Sequence, residues 1–164
     1  MTVAFKDILL WLFVIDLGIT FGAGLYENRM IVPQWFGGSG EIKRWVNSEA
    51  MRRTDAGRRF WAYVTTVPLT LLTLASLFAA CQSRGSVRDW WLGAAVITLL
   101  ERLGTFSFFI PTALKLMRAE TLPESKAAAM ASRWIWLNRL RITFNLAGWL
   151  AALKVFSLFS ALNR

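Results

Sequence analysis

The chain has 164 residues, of which 55% are hydrophobic and only 18% charged, yet it carries a formal net charge of +9. That composition argues against an ordinary water-soluble fold, and the length suits one domain over residues 1–164. With no histidine and a single cysteine, Cys81, the chain lacks the means for Ser-His-Asp or Cys-His catalysis, a histidine-held metal or haem, an internal disulfide or a thiolate cage.

The apolar residues gather at about 8–26, 60–81, 90–110 and 144–162. Each stretch holds roughly the 20 residues needed to cross ~30 Å of hydrocarbon. In lipid every backbone N–H must find its partner within its own segment, so the reading is all-α, a bundle of four transmembrane helices. A soluble bundle is the competing reading, but soluble helices keep a polar face and residues 64–80 contain no charge.

The first span follows Lys6 as a signal peptide would. It is long, however, carries Asp16 and lacks a small-x-small cleavage site, so an uncleaved span is expected. Asp16, Thr20, Ala23 and Glu27 share one face. The two carboxylates are separated by roughly 16 Å along the axis, too far to act on one bond. Gly18, Gly22 and Gly24 form a small-residue track suited to close helix approach. Beyond it, Gly37-Gly38-Ser39-Gly40 reads as a hinge. Ile42, Trp45, Val46 and Ala50 then recur at helical spacing among Lys43, Arg44, Glu49, Arg52 and Arg53. An amphipathic interfacial helix is expected in this first long loop.

Phe60, Trp61 and Tyr63 open the second span, Trp90 and Trp91 the third, and Trp134 and Trp136 lead into the fourth, as in an aromatic belt at headgroup level. The third span carries Glu101 beside Arg102, with Thr98 and Thr105 flanking them. Adjacent helical residues diverge by about 100°, so the two are expected to pair with different spans, Asp16 being a candidate for Arg102. In the second long loop Thr121-Leu-Pro-Glu124 predicts a capping box and a helix running through 127–131 toward the fourth span. On that span Asn138, Arg141 or Ile142, and Asn145 fall on one face that continues to Gly148 and Trp149. An arginine between two amides suits an anionic or carbonyl-bearing ligand; the same guanidinium could instead clamp Glu27 or Glu101.

Four spans put both termini on one side. That side carries four basic residues (Lys6, Arg84, Arg88 and Arg164), whereas the two long connections carry thirteen. The positive-inside rule predicts a multi-pass cell-membrane protein with loops 1–2 and 3–4 cytoplasmic and termini outside. If Arg139 and Arg141 face a buried site the bias is eleven to four. Basic residues beside lipid headgroups account for the +9 charge, and no module for binding nucleic acid is present.

The run Phe21-Gly-Ala-Gly-Leu-Tyr-Glu-Asn-Arg-Met-Ile-Val-Pro33, with its glycine-rich turn into Tyr26-Glu27, resembles the anthrone-oxygenase-like family of small four-helix membrane proteins. The Trp136-x-Asn138-Arg139-x-Arg141 entry to the last span is similar to that family's closing helix. The resemblance implies a membrane-embedded protein, some of whose relatives oxidise anthrones to anthraquinones without an evident metal or flavin. It carries over Tyr26, Glu27, Asn138 and Arg141. The lack of histidine departs from any relative that uses one as a base and leaves Glu27 as the substitute.

Two functions follow as expectations. In one, the bundle binds an apolar, polycyclic molecule and oxidises it without a cofactor. Glu27 is then the base, Arg141 and Asn138 steady the enolate oxygen, and Tyr26, Glu101, Asn145 and Trp149 line the ligand. In the other, the chain is a non-catalytic accessory subunit of a larger membrane complex, and Glu27, Glu101, Arg102 and Arg141 lock its own bundle together; lipid and a homo-oligomer or larger complex are the partners expected.

Overall fold

A computed structural model describes residues 2–37 and 45–162. Four helical spans run Val3–Trp35, Gly57–Cys81, Gly85–Leu116 and Glu124–Ala161. Each packs against the next in sequence and the fourth closes on the first, with the third–fourth contact the most extensive. This is an up-down-up-down bundle. Outward positions such as Ile8, Leu12, Ile15, Leu71, Leu74, Leu100 and Leu103 are apolar and exposed. Such a surface belongs against lipid, and the chain is an integral membrane protein.

At the terminus-side end, residues 82–84 form a tight turn, and Gly85 takes a left-handed φ of +59° that only glycine adopts without strain. The Lys6 ammonium donates to the Gln82 carbonyl at 3.0 Å and to Ser83 Oγ at 3.1 Å, tying the N-terminal turn to this corner. The core here is apolar: Leu9, Leu10, Ala79, Ala80, Val87, Trp91, Val155 and Phe159. Trp91 is fully buried, so it is a core side chain and not the interfacial ring its position suggested.

The fourth span is one unbroken helix, Glu124–Leu162. Most of its buried residues recur alternately at four and three: Ala127, Ala131, Trp134, Asn138, Asn145, Gly148, Ala152, Val155 and Phe159, with the largely covered Arg141 filling its place in the series and Ala151 buried beside it. That is the spacing of a coiled-coil seam. The helix begins where the sequence indicated, but without the capping box. Thr121 Oγ1 donates to the Arg118 carbonyl, and the Pro123 carbonyl accepts the first helical N–H groups.

The other three spans share a local irregularity. Each has a widened π-helical segment: Glu27–Ile31, Gly57–Thr66 and Thr105–Phe109. Each segment is followed by a β-branched residue and then Pro33, Pro68 or Pro111. In every case that residue (Val32, Val67 or Ile110) donates its N–H to the carbonyl five positions back. Proline has no N–H to give and its ring crowds the carbonyl four back; the extra residue in the turn relieves the crowding and keeps the neighbouring bonds made.

The long loops form a cap at this end. Phe36–Gly37 pairs with Trp45–Val46 in a two-residue antiparallel ladder, and a short helix follows at Ser48–Thr54. The amphipathic helix is therefore shorter than its sequence pattern: Ser48 and Met51 face inward, Glu49, Arg52 and Arg53 outward, while Trp45 and Val46 belong to the ladder. Gly38, Ser39, Gly40, Ile42, Lys43 and Arg44 lie outside the described residues. Trp35, Phe36, Met51, Phe109, Leu116 and Trp134 make a second apolar cluster under the cap. Ser48 Oγ donates to the Leu116 carbonyl, and Arg52 Nη1 reaches the Met117 carbonyl and Glu120 Oε1, both at 2.6 Å. These bonds join the two loops.

Candidate functional site

Between the apolar core and the cap lies a charged layer built by all four spans. The first π segment begins at Glu27, whose carboxylate is buried. Trp61, from the second π segment, donates its indole N–H to Glu27 Oε1 at 2.8 Å. Arg141 on the fourth span donates from Nη2 to Glu27 Oε2 at 3.4 Å, and its Nε stands 3.9 Å from Glu101 Oε1. The guanidinium is stacked 4.6 Å from the Phe109 ring centroid and 5.8 Å from that of Trp61. Thr105 Oγ1 donates to Glu101 Oε1 at 2.9 Å. The π segments thus supply Glu27, Trp61, Thr105 and Phe109, and each of these touches Arg141 or a carboxylate beside it.

Glu101 and Arg102 do not go to separate spans as their helical angles suggested. Arg102 folds back so that Nε, at 2.5 Å, and Nη2 both meet Glu101 Oε2. An arginine side chain is long enough to bridge the divergence of adjacent positions, and in a buried setting the nearest carboxylate wins. Asp16 is close enough to feel the Arg102 charge, yet neither of its oxygens has a hydrogen-bond partner. The layer holds two carboxylates and two guanidiniums in alternation, Glu27–Arg141–Glu101–Arg102, so their charges compensate. Removal of any one leaves a buried neighbour uncompensated.

A second set of polar atoms is buried with no partner. Asn138 is 0% exposed, and both its amide nitrogen and oxygen are unpaired. Asn145 Oδ1, Arg102 Nη1, Arg141 Nε and Trp149 Nε1 are in the same condition. Asn138, Arg141 and Asn145 occupy successive turns of the inward seam of the fourth span. The hydroxyls around them are self-satisfied: Thr20 and Thr98 donate to the carbonyls four residues back, which leaves their lone pairs open as acceptors. The arrangement can offer amide and guanidinium donors to a carbonyl or an oxyanion.

The candidate residues therefore divide. Glu27, Glu101 and Arg141 meet in one network, and Asn138 and Asn145 extend it along the fourth span. Trp149 lies further along, its ring against Gly18, where an added Cβ would come within 3.2 Å, and tilted on Phe21 at 5.8 Å. Tyr26 is 61% exposed and stands outside the network. Of the glycine track, Gly18 and Gly24 face the fourth span, whereas Gly22 has nothing within 4 Å of its Cβ position. Trp61 was read as an interfacial ring and its role was missed; the one signal for it was Pro68, seven residues on, marking an irregular turn. Trp134 is likewise buried, in contact with Trp35, Phe36 and Phe109. Among the described residues no three Cys, Asp or Glu side chains converge as metal ligands. Compared with family models, curated proteins and solved structures, the chain matches none.

Proposed function

We propose that this integral membrane protein binds a small apolar molecule by its polar end, at the layer formed by Arg141, Asn138 and Asn145. The observation that carries this reading is Asn138: an amide wholly out of solvent, with neither atom hydrogen-bonded, one turn from the Arg141 guanidinium. An unpaired buried amide costs about 1–3 kcal/mol unless a ligand or an ordered water meets it. The resemblance to anthrone oxygenases makes an anthrone the first ligand to try. In that chemistry a base takes a proton from the ring methylene, the carbanion adds O2, and loss of water leaves the second quinone carbonyl. One O2 is consumed and one water released per anthrone.

Glu27 is the base in this reading. Its oxygens are engaged by Trp61 and Arg141, so it must release one of them to accept a proton. That engagement favours a second reading, a non-catalytic subunit in which the same network locks the bundle. Ligand binding separates the two. The parent protein should show quenching of tryptophan fluorescence by an anthrone, and Asn138→Leu should abolish it while raising stability in mild detergent by about 1–2 kcal/mol, because a mispaired amide is removed. A lock predicts the same gain in stability, no quenching in the parent, and co-purification of a stoichiometric partner. Oxygen uptake with an anthrone, if present, should fall in Glu27→Gln; an unchanged rate removes Glu27 as the base. With Arg141 inside the bundle, the twelve-to-four distribution of the remaining basic residues supports cytoplasmic long loops. Tags at the termini should be reached in intact cells, and labelling only after permeabilisation reverses the orientation.

A further inference from the structure

At the cap end a groove of about 640 Å³ opens between the Ser48–Thr54 helix with the residues just after it and the end of the third span. Its floor is apolar, formed by Pro111, Leu114, Met117 and Leu122, and its rim is basic: Arg52, Arg58, Lys115 and Arg118. We propose that this groove binds the headgroup of an anionic phospholipid. The site is independent of the charged layer inside the bundle.

Charge and continuity select this occupant. Two of the four cations are already compensated: Arg58 Nε donates to Asp55 Oδ2 at 2.8 Å, and Arg52 pairs with Glu120. Lys115 and Arg118 make no ion pair with a described carboxylate, so two positive charges on the rim are left for a ligand anion. Arg52 is also fixed in place by the Met117 carbonyl, which holds the rim to the floor. Leu114, Ile110, Phe106 and Leu103 form an exposed apolar stripe running from the groove along the third span. A free phosphate would use the rim and have no use for the stripe, whereas a diacyl phosphodiester uses both. Basic pockets at the headgroup level of helical bundles bind such lipids by this combination.

Native mass spectrometry of the detergent-purified protein tests it, with phosphatidylglycerol and phosphatidylcholine of identical acyl chains. The protein should retain phosphatidylglycerol at least about tenfold more strongly, and Lys115→Gln/Arg118→Gln should remove most of that preference. Arg29→Gln/Lys126→Gln changes the charge of the same end by the same amount outside the groove and should leave the preference intact. Equal retention of the two lipids, or an equal loss in the control pair, overturns the site. Displacement of the lipid by millimolar inorganic phosphate overturns the lipid assignment in favour of a free-anion site. Thermal unfolding checks that the double variant is folded; if it is not, Arg118→Gln alone is read by the same criteria.

Discussion

At the end of the bundle that holds the termini, Leu10, Ala80, Trp91 and Val155 close on one another with no charge between them; at the other, the same four spans enclose Glu27, Glu101, Arg102 and Arg141. The backbone differs in step with the side chains. Regular α-helix carries the apolar half, and all three proline-linked π segments lie in or beside the charged half. A widened turn shifts a span's register by a residue, so side chains on its two sides no longer follow one stripe. Three spans can then bring an acid, an indole and a phenyl ring against one guanidinium. The fourth, which supplies that guanidinium, keeps its seam throughout.

The sharpest way to break this contrast is Arg141→Met. It leaves the buried Glu27 without a cation, while Glu101 keeps Arg102, and should destabilise the protein in mild detergent by about 3–5 kcal/mol. Adding Glu27→Gln should recover part of the loss; no recovery would mean that Arg141 acts through packing on Phe109 and Trp61. The same measurement on Leu10→Ala, in the uncharged half, should cost about 2–4 kcal/mol by the cavity it opens, and no second substitution of a charged residue should rescue it. The smallest effect belongs to the loop contact. A bond from its own backbone N–H, and then Arg52, hold the exposed Glu120 below the usual carboxylate range. Its contribution is therefore present above that range and disappears as pH falls through the lowered value. The melting temperature of Glu120→Gln should lie slightly below that of the parent at neutral pH and meet it in acid, whereas a difference that persists in acid would assign the effect to packing.

The spans were legible because a membrane crossing is written in a long run of residues, as the charge-free stretch 64–80 illustrates. The inward face of the fourth span was legible because spacing of three and four survives in an unbroken helix; Asn138, Arg141 and Asn145 follow it. The pairing of Glu101 with Arg102 was not, since a helical-wheel angle describes where a side chain starts and arginine ends several ångströms from there. Position alone marks Trp61, Trp91 and Trp134 as belt residues, but Trp91 and Trp134 are core rings, and the half-buried Trp61 turns its indole N–H to Glu27. Thr121 has the right spacing for a capping box, but its hydroxyl turns back to donate to the Arg118 carbonyl. Each miss is a case in which a tertiary contact outweighed a local rule.

The fourth helix, at 39 residues, is roughly 58 Å long, nearly twice the ~30 Å of hydrocarbon it crosses. Trp134, wedged under the cap, and Arg141, inside the charged layer, are about two turns apart on that single stiff rod. One continuous helix therefore joins the cap contacts of Trp134 to the buried guanidinium of Arg141, with no break between them.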